Sequence, residues 1–130
     1  MMAGQIRVLI ADDHPAVRSA LMMYLETADD VAVIGEASDG DEAVELARQL
    51  CPDVVLMDYN MPRMNGDEAT RRIMAVSPGS RVVGLSMYGT EFGGRMREAG
   101  AITSVAKGVD PEVLIEALRM AVQCPVNKPR

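Results

Sequence analysis

The chain has 130 residues, of which 48% are hydrophobic and 25% charged, a balance typical of one globular domain with its own core. Its formal net charge of −6 argues against direct binding to nucleic acid, which needs clustered cations. No apolar run approaches the ~18 residues of a membrane helix, and residues 1–5 lack the apolar centre of a secretory signal, so we expect a cytoplasmic protein without a membrane segment. Cys51 and Cys124 show no metal-ligand spacing and are expected to be reduced thiols.

Five short apolar runs, bounded by turn-forming or charged residues, predict buried β-strands. They span residues 6–11, 31–37, 53–58, 81–86 and 101–106. Apolar residues at helical spacing follow every run, so a helix is predicted after each strand. The starts of these helices are predicted at Pro15, at Asp39 with Glu42, at Asn65 with Glu68, at Thr90, and at Asp110 with Pro111.

The fourth predicted helix contains two adjacent glycines, Gly93 and Gly94, and is closed by Gly100. Each internal glycine costs ~1 kcal/mol relative to alanine, because it has the most backbone freedom to lose. We therefore expect this helix to be short or mobile.

Strict alternation of five strands and five helices predicts an α/β fold. The expected architecture is a five-stranded parallel sheet with (βα)5, flavodoxin-like, doubly wound topology and helices on both faces. Residues 1–123 are expected to form one domain. Residues 124–130 contain two prolines and no periodicity, which predicts a tail or the start of a linker.

Polar side chains stand at the carboxyl ends of four of the five predicted strands. Asp12 and Asp13 follow the first strand, Asp58 ends the third, Ser86 ends the fourth, and Lys107 follows the fifth. Since the carboxyl ends of parallel strands lie on one edge of a sheet, these five side chains are predicted to converge.

Three carboxylates in one place repel each other, and a shared Mg²⁺ ion would offset that repulsion. Asp12 and Asp13 are the predicted metal ligands together with Asp58, and the backbone carbonyl of Asn60 is a further candidate. A carboxylate can also attack phosphorus and form an acyl phosphate, and Asp58 is the candidate nucleophile. Lys107 and the Ser86 hydroxyl would then balance charge on the transferred phosphoryl oxygens.

With these residues in this order, the chain resembles the receiver domain of bacterial response regulators, the phospho-accepting half of two-component signalling. The resemblance extends from about Ile6 to Val122. The motifs that carry it are Asp12-Asp13, the segment from Asp58 to Gly66, Leu85-Ser86, and Ala106-Lys107-Gly108.

The resemblance implies that Asp58 accepts a phosphoryl group from the phosphohistidine of a sensor histidine kinase, with Mg²⁺ as cofactor. It implies a phosphorelay switch rather than an enzyme with turnover. Phosphorylation would change the face formed by the fourth helix, fifth strand and fifth helix. The same face is a possible homodimer interface. The segment from Asp12 to Arg18 further resembles receivers that precede a LuxR-type helix-turn-helix domain. We therefore expect control of transcription through a DNA-binding domain that is not found in these 130 residues.

One departure from the family pattern keeps other readings open. The family usually places Tyr or Phe three residues before its lysine, and Ser104 stands there. Tyr88 is a candidate substitute for part of that role. The alternatives are a pseudo-receiver that acts only as a protein-interaction module and a haloacid-dehalogenase-like phosphatase, although Asn60 stands where such a phosphatase would carry a second Asp. His14 is expected to be a partly exposed residue at a helix start rather than a metal ligand.

Overall fold

The structure, a computed structural model, describes residues 4–87 and 93–125. The strands are β1 (Ile6–Ala11), β2 (Val31–Ala37), β3 (Val54–Asp58), β4 (Arg81–Ser86) and β5 (Thr103–Ala106). The helices are α1 (Pro15–Glu26), α2 (Gly40–Leu50), α3 (Gly66–Val76), α4 (Gly93–Ala99) and α5 (Pro111–Gln123).

The strands form one sheet in the order β2-β1-β3-β4-β5, and every neighbouring pair is parallel. The predicted α/β fold is therefore confirmed. The chain winds outward in opposite directions from β1, so the strand order reverses between β1 and β3. The carboxyl ends of these two strands flank the crevice in which sheets of this kind place ligands.

Two apolar layers cover the faces of the sheet. Helices α1 and α5 pack on one face, with Leu21 and Leu118 in that layer. Helices α2, α3 and α4 pack on the other, with Ala47, Ile73 and Met96 in the second layer. In the sequence these helices carry apolar residues three and four positions apart, which places them on one side of each helix. Within the described ranges, no helix has the length and apolar character needed to cross a bilayer.

The helix starts agree with the sequence predictions in part. The Asp39 side chain accepts the Glu42 N–H at 2.7 Å, as predicted, while the Glu42 carboxylate accepts the N–H of Ser38. Asn65 occupies the cap position of α3, but its side chain makes no capping hydrogen bond, so that prediction is wrong in detail. Thr90 and Tyr88 lie outside the described residues.

Helix α4 is described over Gly93–Ala99, directly after residues 88–92, which lie outside the described residues. Gly100 ends it with a positive φ of 122°, and the Ala101 N–H donates to the Met96 carbonyl at 2.8 Å. Together with the bond from the Gly100 N–H to the Arg97 carbonyl, this is a Schellman motif. Because Ala101 belongs to this motif at the end of α4, β5 begins at Thr103. The predicted start at Ala101 is therefore two residues too early.

Candidate functional site

The centre of the site lies where β1 and β3 end side by side. Asp58 is the last residue of β3, and Asp12 directly follows β1. Asp12 is fully buried and Asp58 is 2% exposed. Burial of two neighbouring carboxylates is unfavourable unless cations or hydrogen bonds compensate for the lost hydration, so this pair marks a specialised site.

Lys107 supplies one compensating charge. Its Nζ lies 2.7 Å from Asp12 Oδ2 and 3.2 Å from Asp58 Oδ1, so one ammonium bridges the two acids. The backbone holds this residue in place, because the Lys107 N–H donates to the Ser86 carbonyl at 2.9 Å. Ser86 is itself buried at the end of β4, which pairs with β3 on one side and β5 on the other. The end of the sheet therefore brings together residues separated by up to 95 positions in the sequence.

The site makes Asp58 harder to ionise than an ordinary carboxyl. Burial, helped by the charge of Asp12, raises the pKa of Asp58 from 3.8 to about 6, against the opposing effects of Lys107 and of a backbone hydrogen bond from Asn60. Burial would lower the pKa of Lys107, but its contacts with Asp12 and Asp58 outweigh burial and leave that pKa above its usual value. One ammonium is thus shared by two acids, and the site is short of positive charge.

Asp13 and His14 form the outer rim of the site. The His14 Nδ1 lies 3.0 Å from Asp13 Oδ1 and 3.1 Å from Asp12 Oδ1. His14 precedes α1, and its own N–H donates to Asp12 Oδ1 at 2.9 Å. Its side chain is 58% exposed, which agrees with the expected helix-start position. The contact of its imidazole with both carboxylates is a feature that sequence reasoning missed.

Arg18 holds the carboxyl end of β1 in position. Its Nη1 donates to the Asp12 carbonyl at 2.6 Å, and its Nε donates to Glu36 Oε1 at 3.1 Å. The guanidinium therefore ties the end of β1 to β2 through one residue of α1. The sequence offered no signal for this role beyond the spacing of six residues from Asp12.

Gly66 controls how closely the loop after β3 can return to Asp58. Its N–H donates to the Tyr59 carbonyl at 2.6 Å, and a Cβ at this position would lie 2.2 Å from the Asp58 carbonyl oxygen. Only glycine allows that approach, so Gly66 sets the position of Asp58 as well as the start of α3. Asn60, in the same loop, is exposed.

The donor set fits a hard divalent cation. Asp12, Asp13, His14 and Asp58 each offer one ligand atom, and these atoms lie within 4.8 Å of one another. Asp58 Oδ2 is buried, yet it has no hydrogen-bond partner among the described residues. A buried carboxylate oxygen without a donor is unfavourable, and a cation bound to it would remove that cost.

Comparison with known proteins identifies the family and the fold. Residues 8–119 match the family described as the response regulator receiver domain. The chain belongs to this family. An uncharacterized transcriptional regulatory protein of Bacillus subtilis, YxjL, is 41% identical over 126 residues, covering 95% of this receiver and 57% of that protein. The receiver thus spans about half the length of the curated relatives it matches.

Two solved structures agree with this assignment. A two-component response regulator of the LuxR family from Aurantimonas sp. SI85-9A1 has a TM-score of 0.85 and 36% identity, covering 92% of this receiver and 86% of that chain. The receiver domain of sensor histidine kinase PA1611 from Pseudomonas aeruginosa PAO1, with a magnesium ion coordinated in its active site cleft, has a TM-score of 0.81 and 25% identity. That match covers 92% of this receiver and 99% of that chain. Family membership sets aside the haloacid-dehalogenase-like alternative.

Ser104 remains the departure from the family pattern. Its Oγ is buried and has no hydrogen-bond partner in the described part of the chain. A Cβ on Gly84 would lie 2.6 Å from that Oγ and 3.3 Å from Met96 Cε. Met96 of α4 is 2% exposed, so its thioether packs beside Ser104 against β4. A serine and a methionine therefore occupy the region where β5 meets α4.

Proposed function

We propose that this receiver is a phosphorelay switch that accepts a phosphoryl group on Asp58 from the phosphohistidine of a sensor histidine kinase. One observation carries the proposal: Asp58 ends the central strand with Oδ1 paired to Lys107 and with Oδ2 buried and unpaired within the described structure. An oxygen of this kind has no hydrogen bond to lose before it attacks phosphorus, and its residue lies at the carboxyl end of β3, beside the end of β1.

The reaction follows from the groups at the strand ends. A carboxylate oxygen of Asp58 attacks phosphorus, the phosphorus–nitrogen bond of the donor breaks, and the imidazole leaves with that electron pair. Lys107 would contact the phosphoryl oxygens, a role supported by the contact of its ammonium with Asp58. The hydroxyl of Ser86, at the end of β4, would donate a hydrogen bond to the same oxygens. Asp12, Asp13, Asp58 and the Asn60 carbonyl would hold Mg²⁺, which supplies charge neutralisation during the transfer.

Phosphorylation is proposed to change the surface formed by α4, β5 and α5, which would then bind the next component of the pathway. Val113 and Met120 on α5 are 50% and 61% exposed, which leaves apolar surface on that helix for a second copy or another protein. By analogy with the LuxR-family relative, the proposed outcome is control of transcription through a DNA-binding domain outside residues 1–130. The receiver itself has a net charge of −6 and would not contact DNA directly.

The decisive experiment is mass spectrometry of the intact chain after incubation with Mg²⁺ and a small phosphodonor. We expect one added phosphoryl group, located on Asp58 and released by hydroxylamine as an acyl phosphate is. Asp58→Asn should show no adduct. Asp53→Asn is the matched control, because Asp53 lies just before β3, at its opposite end, where its carboxylate accepts the Arg7 N–H at 2.8 Å.

The outcomes separate the remaining functions. An adduct on wild type and on Asp53→Asn, but not on Asp58→Asn, supports the switch. No adduct on the wild type, or an equal one on Asp58→Asn, contradicts it, and absence of any adduct favours the pseudo-receiver that Ser104 suggests. Repeated turnover of phosphate esters would contradict a switch without enzymatic turnover.

A further inference from the structure

The histidine at the rim of the site has no role in the proposed phosphoryl transfer. His14 is the only histidine in the chain. Its Nδ1 lies close to an oxygen of both neighbouring carboxylates, 3.0 Å from Asp13 Oδ1 and 3.1 Å from Asp12 Oδ1. The contact of Nδ1 with Asp12 Oδ1 has hydrogen-bond geometry, and a neutral imidazole nitrogen carries only one proton or one lone pair. The buried Asp13 Oδ1 has no hydrogen-bond partner among the described residues, although Nδ1 lies so close to it.

A metal ion satisfies all of these atoms at once. Two neighbouring ligands of an octahedral metal with bonds of about 2.1 Å lie about 3.0 Å apart. The two distances from His14 Nδ1 match that spacing. The unpaired Oδ2 of Asp58 belongs to a side chain that is 4% exposed, and Asp58 also falls within the 4.8 Å group formed with Asp12, Asp13 and His14. This buried oxygen is a second observation, separate from the imidazole, that indicates a cation.

The backbone explains why the imidazole is held there. Pro15 follows His14, and a residue before proline is restricted to an extended conformation. His14 has φ −98° and ψ 112°, and its N–H donates to Asp12 Oδ1 at 2.9 Å. The ring is thereby placed above the two acids while more than half of the side chain faces solvent, so an ion can enter from that side.

We propose that His14 contributes its Nδ1 as a ligand and gives the site a preference for divalent transition ions such as Mn²⁺ and Co²⁺ over Mg²⁺. Imidazole nitrogen binds Co²⁺ well and Mn²⁺ more weakly, whereas Mg²⁺ favours oxygen ligands and keeps its waters. The site should therefore prefer transition ions over Mg²⁺ more strongly than a site built from carboxylates alone. This inference rests on the proposed function only in using the same acidic cluster.

The test compares the full chain, without a polyhistidine tag, with His14→Gln at pH 8. Calorimetry should show that Co²⁺ binds about tenfold more weakly to His14→Gln, that Mn²⁺ is weakened less, and that the affinity for Mg²⁺ changes least. Asp13→Asn is the reference for loss of all three ions, and Asp53→Asn is the reference for unaltered binding. An equal change for all three ions, or no change for any, would overturn the proposal.

Pulsed electron paramagnetic resonance of the Mn²⁺ complex gives a direct second readout. We expect a ¹⁴N coupling in wild type that changes to ¹⁵N when only histidine is ¹⁵N-labelled, and that is absent from His14→Gln. Because the sequence has one histidine, the labelled signal has one source. Absence of the coupling in Mn²⁺-loaded wild type refutes the ligand role even if Asp58 is phosphorylated. Presence of the coupling without phosphorylation of Asp58 would refute the switch and leave this ligand role intact.

Discussion

Replacing Asp58 by Asn should make the folded receiver more stable at neutral pH when divalent ions are removed. The substitution keeps the size of the side chain and removes its charge. Burial and the neighbouring Asp12 raise the pKa of Asp58 from 3.8 to about 6, so the folded protein holds this proton more tightly than the unfolded chain does. Ionised Asp58 therefore opposes folding, and Asn at this position does not.

The size of the effect follows from linkage between proton binding and folding. Between pH 3.8 and about 6 the native state binds more protons than the unfolded state, so the free energy of unfolding falls as pH rises. The destabilisation caused by ionised Asp58 is absent well below pH 3.8 and complete above about pH 6. It then amounts to about 3 kcal/mol, because each unit of difference between the two pKa values is equivalent to 1.36 kcal/mol. From pH 4.5 to pH 7.5, wild type should lose about 2 kcal/mol relative to Asp58→Asn.

The assay is urea denaturation of both proteins in EDTA at several pH values. The difference between the two proteins at each pH cancels titrating groups that do not interact with Asp58. The change of that difference with pH cancels the pH-independent effect of the amide. A stability difference that stays constant from pH 4.5 to 7.5, or that moves in favour of wild type at high pH, would refute the reasoning. Adding Mg²⁺ at about 100 times its dissociation constant should stabilise wild type by about 2.7 kcal/mol and Asp58→Asn by less.

Three further substitutions test the surroundings of the site by the same denaturation assay. Gly66→Ala should cost about 2–3 kcal/mol and impair phosphorylation, because its Cβ would lie 2.2 Å from the Asp58 carbonyl. Ser104→Ala should stabilise the receiver by about 1 kcal/mol, because it removes a buried hydroxyl that has no partner in the described structure. Arg63→Gly should be neutral or stabilising by up to about 1 kcal/mol, while Arg63→Val destabilises, because Arg63 has φ 69° in a turn where the Met64 N–H donates to the Pro62 carbonyl.

Each of these changes has a matched control. Gly94→Ala, at an exposed position of α4 with nothing within 4 Å of the new Cβ, should stabilise by up to about 1 kcal/mol, and a loss as large as at Gly66 would contradict the steric argument. Ser77→Ala should destabilise, because the buried Ser77 hydroxyl has a partner in Ser80 at 2.7 Å. Equal effects at Ser77 and Ser104, or equal effects of Gly and Val at Arg63, would show that the local reasoning fails.

The sequence was sufficient to predict which acids meet, because the meeting follows from topology alone. Asp12 and Asp58 are far apart in the chain, yet strict β-α alternation requires parallel strands that end on one edge. Lys107 could be placed in the same way from the end of the fifth strand.

Features that depend on side-chain direction or close approach were not predictable. The His14 imidazole could have pointed to solvent, because the extended backbone before Pro15 does not by itself fix the direction of the ring. The side chain of Asn65 fitted the capping pattern, but α3 starts where the Gly66 N–H returns to the Tyr59 carbonyl, and the cap bond does not form. The unpaired hydroxyl of Ser104 could not be predicted either, because its surroundings include Met96 of α4, which packs from outside the strand.

Ser104 and Met96 both lie beside Gly84 of β4, which offers a route by which motion at the strand ends could reach α4. An aromatic ring turns as one rigid unit, whereas a thioether has three rotatable bonds and adjusts by small rotamer changes. Met96 is almost fully buried, and its methyl group lies beside Gly84 of β4, the strand that ends at Ser86. A shift of that strand would change the surroundings of the methyl group. In a chain with 11 methionines and one phenylalanine, methyl groups labelled with ¹³C are abundant natural reporters, and the Met96 resonance would record a state of Asp58 without an added probe.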